Sequence, residues 1–118
     1  MRKTLTLLLF IASGFANAQK HANVSGTWNM SVETSAGNGS PVFILKHITE
    51  TTLAGTYTGR LGEADVTGTI QENKIHLEFT ISGTTIMYDG IVTGETMSGQ
   101  LKLGSLGEGT FNGKRKKE

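Results

Sequence analysis

Two tyrosines carry the chemistry that this chain's spacing can place. Tyr57 falls in the alternation Leu53, Gly55, Tyr57, Gly59, Leu61, and Tyr88 in Ile86, Tyr88, Gly90, Val92, so each sets a hydroxyl on an otherwise apolar face. A buried hydroxyl needs a hydrogen-bond partner. Two of them on one apolar surface can orient a small, mostly apolar molecule; near a rim, the same groups would bond to backbone or water instead. Phe79 and Phe111 stand on the apolar faces of their own runs and complete the candidate ligand-binding set with Tyr57 and Tyr88.

The other reactive side chains do not assemble by sequence. His21 lies in an N-terminal stretch expected to fray, His47 adjoins Lys46, and His76 points outward beside Glu78. No two histidines have the short spacing, with a third ligand nearby, that a zinc site needs, and there is no cysteine to supply a thiolate, a disulfide or a nucleophile. Asp65 and Asp89 belong to the outward sets of different strands. No Gly-x-Ser-x-Gly elbow and no phosphate loop is present, and Gly37-Asn38-Gly39 reads as plain loop. The expectation is therefore no catalytic residue, no metal and no cofactor.

The elements that hold these residues are strands. Ile75, Leu77, Phe79 and Ile81 alternate with Lys74, His76, Glu78 and Thr80, a period of two with one wet face. The same alternation runs through Trp28-Met30-Val32, Leu53 to Leu61, Ala64 to Gln71, Ile86 to Val92, Met97 to Leu103 and Gly109 to Gly113. Val42 to Ile48 is also a strand, apolar on both sides and ambiguous in its facing. Short turns are expected at Gly62-Glu63, Glu72-Asn73, Ser82-Gly83, Gly94-Glu95 and Ser105 to Gly107, with one longer loop over 35–40. No stretch has apolar residues at helical spacing.

Eight strands joined by short connections predict an all-β, eight-stranded antiparallel up-and-down meander, and closing it into a barrel removes the exposed edges. Of sixteen glycines, seven (Gly55, Gly59, Gly68, Gly90, Gly99, Gly109 and Gly113) fall on the apolar face. There they let strands coil sharply and leave room for large neighbours. A barrel of this size is either filled by side chains or holds one small ligand.

Residues 1–18 read as an export signal. Arg2 and Lys3 precede an apolar run from Leu5 to Ala12, and Ala16-Asn17-Ala18 is a small-x-small cleavage site. The run is too short to span a bilayer. The expectation is a periplasmic or secreted bacterial protein, residues 19–118 forming one barrel domain, with no integral membrane segment in the mature chain. The formal charge of +1 over the whole chain lacks the basic footprint of a nucleic-acid binder. The basic end, Lys114 to Lys117, and the loop 35–40 are the places where a protein partner would dock.

Gly26-Thr27-Trp28, opening the first strand soon after a signal, resembles the Gly-x-Trp element of the lipocalins and related calycin barrels. The small-Gly-Thr-aromatic rhythm is more weakly similar to avidin-type barrels. The lipocalin resemblance implies that a basic residue of the last strand, Lys114 or Arg115, covers Trp28 and closes one end of the barrel. The chain departs from lipocalins in lacking a C-terminal helix and disulfides, and from avidin relatives in having one tryptophan and an almost wholly apolar inward face. The function expected is binding of a small apolar ligand in the barrel mouth. The alternatives are a filled barrel acting through its surface, as a protease inhibitor does, and, third, an enzyme working inside the barrel.

Overall fold

In the computed structural model, which describes residues 20–117, the alternating segments become strands β1 (Gly26–Thr34), β2 (Gly37–Gly39), β3 (Val42–His47), β4 (Thr52–Gly59), β5 (Gly62–Gln71), β6 (Lys74–Ile81), β7 (Thr84–Thr93), β8 (Thr96–Lys102) and β9 (Glu108–Arg115). The segment read as an export signal lies outside the described residues. β2 and β3 both pair antiparallel with β1, each strand from β3 to β9 pairs antiparallel with the next, and β9 pairs back onto β1 with Phe111 opposite Val32 and Arg115 opposite Trp28. The sheet is thereby closed into an up-and-down barrel, and among the described residues the one regular element that is not a strand is a 3-10 turn over Gly104–Leu106.

Nine segments make eight staves because β2 and β3 are one strand interrupted by proline. Val32 faces Gly39 and Asn29 faces Val42, so the pairing with β1 keeps one register across the gap. Pro41 has no N–H to donate to the ladder, although its carbonyl still accepts from the Met30 N–H at 2.9 Å. The loop expected over 35–40 is accordingly a two-residue turn, Ser35-Ala36, followed by a paired strand. A second turn also moves: the chain reverses at Arg60-Leu61, with Gly62 and Glu63 already in β5. Leu61, expected inside, is 49% exposed because the alternation of β4 stops at Gly59.

The barrel interior is a single apolar cluster with no buried polar or charged residue among the described residues. The ambiguous strand β3 is resolved by its pairing: Phe43 sits between Trp28 and Tyr57 in register and is fully buried, while Ile44 is 54% exposed. Ile81, the other end of a long alternation, is half-buried.

The inward glycines do not leave a hollow. Gly90 and Gly99 face each other across β7 and β8. A Cβ at Gly99 would overlap the Asp89 carbonyl oxygen, and one at Gly90 would overlap the Ser98 carbonyl and press on the Phe111 ring. A Cβ at Gly55 would likewise overlap the Ile44 carbonyl. Their missing side chains are replaced by the neighbouring strand's backbone, which is how eight short strands coil tightly enough to close.

Candidate functional site

The two ends of the barrel are built differently. At one end Trp28 is fully buried and the Arg115 guanidinium lies 4.8 Å from its ring centroid, a cation–π contact. Arg115 also donates through Nη1 to the Ser25 carbonyl at 2.8 Å and pairs through Nη2 with Glu95 at 3.1 Å. Gly26, at φ +134°, lies against the Arg115 stem, where a Cβ would come within 3.3 Å of Cδ. Of the two cations considered for this cover, Arg115 occupies the place and Lys114, one residue earlier and on the opposite face of β9, is exposed.

Residues 21–24 reinforce that end. The Ala22 N–H donates to the Glu72 carbonyl at 2.7 Å, and the Glu72 N–H donates to His21 Nδ1 at 2.9 Å. Val24 is fully buried, its carbonyl accepts from Trp28 Nε1 at 2.9 Å, and its N–H donates to His47 Nε2 at 3.1 Å. The stretch expected to fray is thus strapped across the barrel floor, and His21 and His47 serve as hydrogen-bond acceptors in it.

His76 stands on the outer wall. Its Nδ1 lies 2.6 Å from Asp89 Oδ1 across the β6–β7 pairing and its Nε2 3.1 Å from Glu78 Oε1. Burial alone would lower its pKa, but the hydrogen bonds and charges of Asp89 and Glu78 outweigh that and raise it above the ordinary 6.5. Folding therefore favours the charged ring. The stabilisation is complete below about pH 6.5 and is lost as pH rises through the raised pKa. With Asp89 in solvent and His76 and Glu78 partly exposed, it amounts to less than about 1 kcal/mol. Urea unfolding of wild type and His76→Gln from about pH 5.5 to 8.5 checks this: the stability difference between them should shrink with rising pH, and a constant difference would refute it.

The opposite end is open. A cavity of about 150 Å³ enters the barrel beneath the Ser35-Ala36 and Arg60-Leu61 turns, walled by Val32, Ile86, Leu101 and Leu103, with Tyr57, Phe79 and Tyr88 at its base. Tyr57 and Phe79 stack at 4.3 Å between centroids. Three of the four residues expected at a ligand site thus meet around one cavity. The fourth, Phe111, does not line it; buried deeper, it packs on Tyr88 at 5.0 Å. Phe43, absent from the expected set, is the hub below them, edge-on to Tyr57 at 5.5 Å and to Tyr88 at 5.1 Å. Its inward placement follows from the Trp28–Phe43–Tyr57 register, which β3's own composition does not reveal.

Burial raises the pKa of both tyrosines. For Tyr57 the rise is moderated by a hydrogen bond from the Leu61 backbone and by the charge of Arg60; for Tyr88 it is reinforced by Tyr57 and carries the hydroxyl far above the ordinary range. Both are therefore neutral phenols at any physiological pH, and each offers one donor and one acceptor to whatever enters. Arg60, which alternation alone would place on the outer wall, lines the mouth instead: its Nη1 donates to the Asn38 carbonyl, so the side chain lies over β2.

No protein-family model and no curated protein matches the sequence. Solved structures do match in shape. A de novo designed fluorescence-activating β-barrel superposes with a TM-score of 0.63 at 15% identity, over 85% of this chain and all of that one. The redesigned barrel mFAP1, bound to DFHBI, gives a TM-score of 0.63 at 12% identity over 78% of this chain and 94% of that one. Fatty-acid-binding protein 1 of Echinococcus granulosus gives 0.47 at 8% identity over 77% of this chain and 96% of that one.

Proposed function

We propose that this chain is an exported, lipocalin-like carrier that binds a small apolar molecule in the barrel mouth. The observation that carries the reading is the asymmetry of the ends: Arg115 lies over Trp28 at one, while a cavity of about 150 Å³ opens over Tyr57, Phe79 and Tyr88 at the other. The cavity walls are aliphatic and the polar groups that meet it are few, as in small-molecule sites generally. That the similar designed barrel mFAP1 is bound to DFHBI supports the idea that a barrel of this shape accommodates a small ligand. Export rests on the segment 1–18, with cleavage after Ala18 and release to the periplasm or beyond. The surface-acting alternative would rely on the cations that the Trp28 cover leaves over, Lys114, Lys116 and Lys117.

Amide resonances of isotope-labelled residues 19–118 test the reading. Toluene, indole, cyclohexanol and hexanol, added in turn, should include at least one that shifts Tyr57, Phe79, Ile86 and Tyr88 and leaves Trp28 and Arg115 unmoved. A set in which none shifts the mouth residues overturns it. Native mass spectrometry of the protein taken gently from its host would then identify the natural occupant as an adduct lost on denaturation.

A further inference from the structure

Arg60 is, among the described residues, the one charged side chain lining the mouth. Among the described residues it forms no ion pair, whereas Glu95 is matched by Arg115, and Glu78 and Asp89 by His76. Though exposed, the side chain folds back over β2. The stem lies along two glycines, since a Cβ at Gly39 would come within 3.2 Å of Arg60 Cδ and one at Gly37 within 2.9 Å of Nη1. The Asn38 carbonyl between them takes one guanidinium proton, which leaves the other donors of the fork for a second acceptor. A cation held at the edge of an apolar cavity attracts an anion whose apolar part fits inside.

The size of the cavity limits that apolar part. An enclosed dry cavity of about 150 Å³ lined by apolar side chains accommodates benzene; the mouth has a similar volume, apolar within and open at its outer end, where Thr34, Asn38 and Arg60 line it. Below it the space is taken by Phe43, fully buried and in edge contact with Tyr57, Phe79 and Tyr88. A long alkyl chain would have to displace that ring. A single flat ring needs only the existing space over Tyr57, Phe79 and Tyr88, whose rings it can meet in the edge and offset geometries aromatic groups favour.

We propose that the mouth selects a single-ring aromatic carboxylate, with the ring lying over Tyr57, Phe79 and Tyr88 against the aliphatic walls and the carboxylate held by Arg60. The proposal rests on the small-ligand reading above and adds its charge and shape. The neutral hydroxyls of Tyr57 and Tyr88 supply further donors towards the same end of the ligand. The charge of Arg60 already reaches this place, since it acts on the Tyr57 hydroxyl.

The probes are benzoate, benzyl alcohol, benzylammonium and decanoate, titrated into the mature chain and into Arg60→Gln, with the amide shifts of Tyr88 and Ile86 reporting occupancy of the mouth. For the wild type, benzoate should bind roughly five- to tenfold more tightly than benzyl alcohol, with benzylammonium weakest. In Arg60→Gln the preference for benzoate over benzyl alcohol should disappear. Equal affinities for benzoate and benzyl alcohol, or an unchanged ratio in Arg60→Gln, overturn the anion preference and leave the apolar pocket standing. Decanoate binding above benzoate overturns the single-ring limit. If no ring compound reaches the mouth, this proposal fails, and the small-ligand reading falls with it only where hexanol and decanoate fail to reach the mouth as well.

Discussion

Gly99→Ala should destabilise the barrel by about 3 kcal/mol or more, a large share of what a domain of this size possesses. The added methyl would overlap the Asp89 carbonyl oxygen and crowd the Gly90 Cα. Those are backbone atoms of the paired strand, with Gly90 opposite Gly99 and Asp89 opposite Gln100, so they cannot retreat without parting β7 from β8. The adjoining Phe111 is fixed as well, since it lies opposite Gly99 on the other side and is itself fully buried. Gly83→Ala is the control. Its φ of +80° makes alanine strained, but a Cβ there meets nothing within 4 Å, so its cost should stay near 1 kcal/mol. Urea midpoints of the two variants decide the matter. A Gly99→Ala midpoint no lower than that of Gly83→Ala would mean that close strand approach is not what the inward glycines provide.

The same glycines mark how far the sequence can be read. Their place on the apolar face is legible from period two alone, because Gly55 stands between Leu53 and Tyr57, Gly90 between Tyr88 and Val92, and Gly99 between Met97 and Leu101, each two residues away. Whether they enclose space or admit a neighbouring backbone depends on the coil of the paired strands, which no single strand encodes. Strands with one wet face, such as Ile75 to Ile81, declare their orientation. Val42 to His47 does not, since Phe43 and Ile44 are both apolar and only pairing with Trp28 and Tyr57 chooses between them.

Counting by twos also overshoots. It carries Leu61 inward because nothing in Gly59-Arg60-Leu61 announces a reversal more strongly than Gly62-Glu63 does, and the two-residue shift of the turn is what brings Arg60 to the mouth. Val24 continues the alternation of Trp28, Met30 and Val32 upstream through Gly26, but it precedes the strand and its place is held by backbone bonds to His47 and Trp28 that the sequence does not announce. The choice between Lys114 and Arg115 was open for a related reason, as adjacent residues on a strand face opposite ways and the register with Trp28 had to be known.

Phe43→Ala should show that packing and ligand choice at the mouth are set by one ring. Truncating a fully buried phenylalanine costs about 3–5 kcal/mol, from lost transfer energy and the cavity left behind, and here edge contacts with Tyr57, Phe79 and Tyr88 are lost as well. Because that ring forms the layer directly beneath the cavity, the vacated volume should join the existing space of about 150 Å³. Two effects then oppose each other. The empty variant is much less stable, whereas a ligand large enough to fill the enlarged space restores apolar contacts and stabilises the folded state by mass action. Thermal unfolding with naphthalene-sized and benzene-sized additives separates them. Wild type should gain more from the single ring, and Phe43→Ala more from the double ring. If the variant unfolds at room temperature, Phe43→Leu retains part of the packing and should show the same reversal on a smaller scale. A variant that is destabilised but keeps the wild-type preference would place the size limit in the walls, Val32, Ile86, Leu101 and Leu103, rather than in the floor.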